Sequence, residues 1–234
     1  MDLIERPSPN HDSRPPDQEV DILLLHYTGM RTAVEALDRL CDPAAKVSAH
    51  YCIDEDGTSY RLVPEGRRAW HAGVACWAGA KDINARSIGI ELVNPGHAFG
   101  YRPFPAPQML SLIGLAKEIL GRHPIPAERV LGHSDVAPLR KEDPGELFDW
   151  PGLAEAGIGL WPAAPSAPSA APDLAEAQRL LARFGYGLEI SGEFDEATRA
   201  VLRAFQRHFR PASVTGELDQ GTFDRLSALM ALLG

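Results

Sequence analysis

One stretch limits the architecture more than any other. "WPAAPSAPSAAPD", Trp161 to Asp173, is built of alanine, proline and serine and carries no charge until its last residue. It offers no periodic apolar face to bury, and its prolines favour a semi-extended chain. The sequence therefore divides into residues 1–162, an Ala/Pro/Ser linker over 163–172, and residues 173–234. At 234 residues in all, that is one medium domain followed by one small one.

The first part reads as mixed α/β. "VDILLLHYT" is a short continuous apolar run, the mark of a strand buried on both faces, and it ends at His26. "TAVEALDRLCDP" predicts a helix capped by Thr32 and Glu35, with Val34, Leu37 and Cys41 on its buried face. "SAHYCIDEDGTSYRLVP" predicts two strands about an Asp56-Gly57 turn. "SIGIELVN" is a further strand ending near Glu91. "PAPQMLSLIGLAKEILGRHP" is a helix bounded by Pro107 and Pro124, and "AERVLGH" is a short strand delivering His133. His26, Glu91 and His133 thus stand at strand ends, where α/β sheets assemble their sites.

The second part is helical. Asp173 caps "DLAEAQRLLARFGY", which turns Leu174, Ala177, Leu181 and Phe184 to one side. "DEATRAVLRAFQRHF" aligns Val201, Leu202, Phe205 and Phe209, and "DQGTFDRLSALMALL" aligns Phe223, Leu226 and Met230. "SGEFDEAT" at Ser191 and "TGELDQGT" at Thr215 repeat a glycine turn that feeds an aspartate cap. On pattern alone, convergent capping accounts for this repeat better than duplication does.

The formal net charge of −9, with 23 basic residues scattered along the chain, argues against nucleic acid as a partner. No apolar run reaches the ~20 residues of a transmembrane helix. The N-terminal "MDLIERPSPNHDSRPPDQEV" lacks a basic segment followed by an apolar one. Cys41, Cys52 and Cys76 form no disulfide or zinc-knuckle pattern. These features lead to an expected cytoplasmic location. A periplasmic or outer-membrane-associated location is the alternative if translation starts upstream.

Two imidazoles, one carboxylate and an open position make a common catalytic zinc sphere. His26, His50, His71 and His133 are the candidate nitrogen donors. His11, His97, His123 and His208 fall in disordered, loop, helix-end and second-domain contexts. An iron facial triad built on "HSD" would need a later histidine in the same domain, and His208 lies beyond the linker. Asp135 is then a turn residue or a support to the site. Strand alternation sets Glu91 on the opposite face from Ile90 and Leu92. It is either a base beside an activated water or a solvent-facing residue of a half-exposed strand. Lys141, two residues before Asp143, is either an oxyanion-stabilising cation or part of a solvated charge run.

Taken in order, "LLLHYTG", "VSAHY", "LVPEGRRAWHAG", "SIGIELVN", "LGHSDVAPLRKEDPG" and "FDW" resemble the zinc-dependent N-acetylmuramoyl-L-alanine amidases of the amidase-2 (AmpD/AmiD-like) family. The resemblance covers about residues 20–162. It implies the mixed central β-sheet flanked by helices that this family shares with peptidoglycan recognition proteins. It implies Zn2+ held by His26, His133 and Asp143, with Glu91 and Lys141 as catalytic residues. His50 and His71 become wall or structural residues. Tyr27, Tyr51, Trp70 and Asn94 match motif positions and would line the substrate cleft. The last sixty residues look like a three-helix peptidoglycan-binding domain. Together the two resemblances imply hydrolysis of the amide joining (anhydro-)N-acetylmuramic acid to L-alanine of the stem peptide, in cell-wall recycling or turnover. The partner implied is peptidoglycan or a muropeptide. A non-catalytic muropeptide-binding module is the alternative, and no H-E-x-x-H motif points to a zinc peptidase.

Overall fold

The computed structural model describes residues 2–163 and 171–234. In chain order its elements are β1 (Ile4–Glu5), β2 (His11–Ser13), β3 (Ile22–Tyr27), α1 (Ala33–Cys41), β4 (Tyr51–Ile53), β5 (Ser59–Arg61), β6 (Arg67–Ala69), α2 (Ile83–Arg86), β7 (Ser87–Leu92), α3 (Gly96–Phe99), α4 (Ala106–Arg122), β8 (Val130–Gly132), α5 (His133–Val136), α6 (Trp150–Glu155), α7 (Leu174–Phe184), α8 (Glu196–Phe209) and α9 (Gln220–Leu233). A 3-10 turn at Ala127–Arg129 leads into β8. Most of the linker expected over 163–172 lies outside the described residues.

Six strands form one mixed sheet in the order β1-β5-β4-β7-β3-β8. Its centre is parallel: β4 pairs with β7, β7 with β3, and β3 with β8. Parallel neighbours end at the same edge of a sheet. The register places His26 opposite Glu91 and Leu25 opposite Gly132, so His133 follows at the same level. The apolar runs seen in the sequence fill both faces. Leu23, Leu25, Tyr51, Ile53, Ile88, Ile90 and Leu92 pack under α4, which contributes Leu112, Leu115, Ala116 and Ile119. The opposite face carries Leu24, Cys52, Gly89, Glu91 and His26.

α1 corrects one expectation. Thr32 caps it by accepting from the Glu35 N–H, but the buried side is Ala36, Leu37 and Leu40, against Cys52, Leu62 and Val93. Val34 is 68% exposed, because helical spacing sets it off the face that Ala36, Leu37 and Leu40 share. The polar N-terminus is also built into the fold. β1 pairs with β5, and β2 pairs with β6, placing His11 opposite Ala69 in a strand rather than in a disordered tail. Ser8 donates to the Leu40 carbonyl, and Asn10 donates to those of Asp42 and Val47.

In the C-terminal part the two repeated turns share one bonding pattern. Asp195 caps α8 and Asp219 caps α9. Gln178 accepts from the Gly192 N–H and donates to the Glu193 carbonyl and Thr198. Gln206 repeats this on Gly216, Glu217 and Thr222. Both glutamines are fully buried, so each turn is bolted to the preceding helix as well as capped. Gly192 and Gly216 hold positive φ, the conformation that glycine permits.

The two parts share one core. Ile22, Leu24, Trp77, Leu131 and Val136 of the first belong to the same apolar cluster as Leu181, Phe184, Tyr186, Phe205 and Phe209 of the second. Trp77 meets Phe184 and Tyr186 edge-on, and Gly185 lies so close that a Cβ there would collide with the indole.

Candidate metal centre

Three side chains converge at the carboxyl edge of the parallel strands. Nδ1 of His26 lies 2.9 Å from Nδ1 of His133, and Oδ2 of Asp143 lies 3.1 and 3.0 Å from the two nitrogens. All three residues are buried. β3 delivers His26, and His133 opens α5 directly after β8. Asp143 comes from the irregular segment that follows, whose backbone is tied down by Ser134 N–H donating to the Asp143 carbonyl at 2.9 Å.

The hydrogen bonds behind the imidazoles decide where their protons are. Nε2 of His133 faces the Ala72 carbonyl at 3.0 Å, and a carbonyl can only accept, so Nε2 holds a proton and, in the neutral ring that a metal ligand must be, Nδ1 is bare. The His26 side needs a longer chain. Ser87 donates its hydroxyl proton to the Ile83 carbonyl at 2.6 Å and so accepts from Nε2 of His71. Nδ1 of His71 is therefore free to accept from Nε2 of His26, 3.0 Å away. Nδ1 of His26 is bare in turn. Burial is the main cause holding the His26 ring down at about 4, and it also drives His71 well below its ordinary value, so both rings are neutral near pH 7.

Two bare nitrogens and a carboxylate oxygen thus point at one another with no proton among them. Converging lone pairs in a dry site call for a cation. A tetrahedral ion with bonds of about 2.0–2.1 Å holds its ligands roughly 3.3 Å apart, close to the separations found here. Nitrogen, nitrogen and oxygen donors backed by hydrogen-bonded partners suit zinc.

The centre opens into a cavity of about 430 Å³. Tyr27, His71, Glu91, Arg140, Lys141 and Asp143 are among the residues that line it. Glu91 faces the cavity and not solvent. It is 9% exposed, and its Oε2 has no hydrogen-bond partner. Burial, and then the charge of Asp143, push its carboxyl up to about 8, against the pull of Lys141. Gly89, two residues earlier on the same face, makes room for His71: a Cβ there would lie 2.6 Å from the imidazole.

The expected cleft residues divide. Tyr27 lines the cavity, and its hydroxyl meets Nδ1 of His97 at 2.9 Å. Tyr51 does not line it. Cys52 is the residue in register with Glu91, so its neighbour Tyr51 points through the opposite face, where its hydroxyl donates to Glu65 at 2.7 Å. Asn94 is buried and occupied with backbone, donating to the Arg102 carbonyl and accepting from the Gly96 N–H, so it shapes the loop after β7. Trp70 is half-buried and is not among the lining residues; its backbone N–H donates to the Ser48 hydroxyl. His50 supports the sheet from behind, accepting from the Gly89 N–H.

Sequence reasoning missed several supporting groups. Arg140 donates to the Ala72 and Val74 carbonyls and so holds the loop that receives His133. His97, set aside as a loop residue, stacks on Tyr101 at 4.3 Å beside Tyr27 and forms an aromatic rim. Asp135 was expected as a turn residue or a support to the site, but its partners Tyr186 and His208 in the second part of the chain went unseen. An isolated charge run gives no signal for such roles.

A parallel-centred sheet that ends in two histidines, with a loop carboxylate and a buried glutamate beside them, is an arrangement that could hold a metal ion, as hydrolases of this architecture do. Residues 16–146 match the N-acetylmuramoyl-L-alanine amidase family, and residues 170–226 match a peptidoglycan binding domain. The chain belongs to that amidase family. The N-acetylmuramoyl-L-alanine amidase AmiD of Escherichia coli K12 is 39% identical over 235 residues, covering 92% of this chain and 84% of its own. The fold matches the structure of E. coli AmiD in complex with the substrate anhydro-N-acetylmuramic acid-L-Ala-D-gamma-Glu-L-Lys, with a TM-score of 0.83 at 38% identity, over 94% of this chain and 93% of that one. AmpDh3 of Pseudomonas aeruginosa in complex with anhydromuramic pentapeptide matches with a TM-score of 0.82 at 34% identity, over 93% and 94%. Among the described residues, no helix is long and apolar enough to cross a membrane.

Proposed function

We propose that the chain hydrolyses the amide between N-acetylmuramic acid, or its anhydro form, and the L-alanine of a stem peptide, with zinc held by His26, His133 and Asp143. The observation that carries this reading is the bare-lone-pair triangle, assigned through the Ala72 carbonyl and the His71–Ser87 chain. Zinc held there supplies Lewis acidity toward water and the scissile carbonyl. Glu91, whose Oε2 is unpartnered, would in its ionised form, which a cation held beside Asp143 favours, take a proton from the attacking water and return it to the amide nitrogen as the carbon–nitrogen bond breaks. Lys141 lines the same cavity and balances the negative charge that develops on the carbonyl oxygen. The aromatic rim of Tyr27, His97 and Tyr101 offers apolar faces and polar tips to a sugar–peptide ligand.

A complete donor set beside an unpaired buried carboxyl favours hydrolysis over binding alone, since a pure binding site has no use for an orphaned glutamate. The test measures zinc content and the products released from anhydro-muropeptides and from whole sacculi. We expect one zinc per chain, a free stem peptide beginning with L-alanine, and faster turnover of the soluble substrate. His26→Ala should lose both metal and activity. A chain that binds muropeptide without zinc or turnover would establish a recognition module instead. A cytoplasmic, recycling role is part of the proposal, and fractionation checks it: activity confined to the periplasm or outer membrane overturns it.

A further inference from the structure

Asp135 is two residues past His133 and is buried. Its carboxylate gathers three donors. The Gly132 N–H, at the end of β8, donates to Oδ2 at 2.8 Å. Nδ1 of His208 lies 2.8 Å from the same oxygen, and the Tyr186 hydroxyl donates to Oδ1 at 2.6 Å. The last two belong to the C-terminal domain. His208 is held flat between Trp150 and Phe209, with ring centroids 3.6 and 3.9 Å apart. Its other nitrogen is buried without a partner, which fixes the proton on the nitrogen facing Asp135. Tyr186 is locked against Trp77 and Phe184. On the far side of the same loop, Arg207 donates to Glu142, between Lys141 and Asp143, at 2.8 Å.

We infer that the C-terminal domain is a working part of the metal centre: Tyr186 and His208, acting through Asp135, are positioning residues for His133. The reasoning is geometric. His133 begins a one-turn helix too short to hold itself rigid. Asp135 fixes that turn by bonding backward to Gly132, and it is itself fixed by two side chains that pack in the other domain. An imidazole ligand is aimed by such surroundings, and a loosened support costs a metal site about 10–100-fold in affinity. The linker joins two domains whose interface completes the site, rather than tethering a free wall-binding module.

This inference rests on the proposed metal centre, and its test separates the two. Zinc affinity is measured by competition with a chromophoric chelator on the full chain, alongside thermal unfolding of the metal-free protein and separate kcat and KM. The double variant Tyr186→Phe, His208→Leu should bind zinc at least about 10-fold more weakly and lose kcat with KM little changed. His208→Asn, whose amide can still donate to Asp135, should recover most of that loss. Double-variant affinity within twofold of wild type, even with a lowered Tm, would reduce these contacts to domain adhesive and overturn the inference. Should the double variant fail to fold, Tyr186→Phe alone decides, with at least threefold weaker binding supporting positioning and unchanged binding refuting it. A wild-type chain that takes up no zinc would sink the reading of the centre itself.

Discussion

Gly89→Ala is the most direct probe of how the sheet aims the candidate ligands. The added Cβ would lie 2.6 Å from Cγ and Nδ1 of His71 and 2.7 Å from Cδ2. Carbon contacts are comfortable at about 3.5–4.0 Å, so the ring must retreat by roughly 1 Å. It cannot do so freely. His71 accepts from His26 on one side at 3.0 Å, and Ser87 lies 3.4 Å away on the other. Overpacking a closed interior costs about 1–3 kcal/mol, and in a chain of this size that lowers Tm by about 2–12 °C. The functional effect is separate: a stretched or bent bond to His26 Nε2 loosens the ring and weakens zinc binding by about 10-fold or more. Thermal unfolding of the metal-free variant reads the first effect, and chelator competition reads the second. Gly121→Ala is the control, because a Cβ there meets nothing within 4 Å, and the change should be neutral or mildly stabilising. A Gly89→Ala protein with wild-type Tm and zinc affinity would refute the account of His71 as the brace behind His26.

Two further outcomes follow from the same geometry. Glu91→Gln keeps the volume and removes the proton acceptor; it should retain zinc while kcat falls by about 10²–10⁴-fold, and near-normal turnover would remove Glu91 from the reaction. Glu65 contributes to acid stability. Burial works against its ionised form, but Arg122, His123 and Tyr51 overcome that and hold its carboxyl down from 4.5 to about 2. A depressed carboxyl contributes stability above its unfolded value, so this contribution is complete above about pH 5 and is lost as pH falls through 4.5 toward 2. Glu65→Gln should therefore lower stability by about 2 kcal/mol at pH 7 and flatten the loss between pH 5 and 2. An unchanged acid limb in urea unfolding would refute the assignment.

The sequence placed three polar residues at strand ends, although it left His50 and His71 as further candidate donors and left open whether Glu91 faced solvent. The three are His26, Glu91 and His133, and parallel register brings them together. Asp143 is not among them. It sits in a proline- and glycine-bounded loop without period, and no spacing rule reaches from it to His26, so only the family resemblance placed it. Tyr51 shows the opposite failure. Its motif position suggested the cleft, while the two-residue alternation of its own strand put it beside Ile53, on the face away from Glu91. Where motif and periodicity disagreed, periodicity was the physical constraint.

The expected linker lies mostly outside the described residues. A run of alanine, proline and serine says nothing about the faces on either side of it. The better sign of a shared interface lay in α8. Its apolar positions, Val201, Leu202, Phe205 and Phe209, suffice for a three-helix core, yet Gln206, Arg207 and His208 are buried as well. A helix at the surface of a small free domain turns such residues to water. Here Gln206 is used by the repeated turn, and Arg207 and His208 are used by Glu142 and Asp135 of the first domain. Desolvating a guanidinium and an imidazole is costly unless each meets an acceptor. The acceptors they meet flank His133 and Asp143, so the polar residues that make α8 a poor solitary helix are the ones that tie it to the centre.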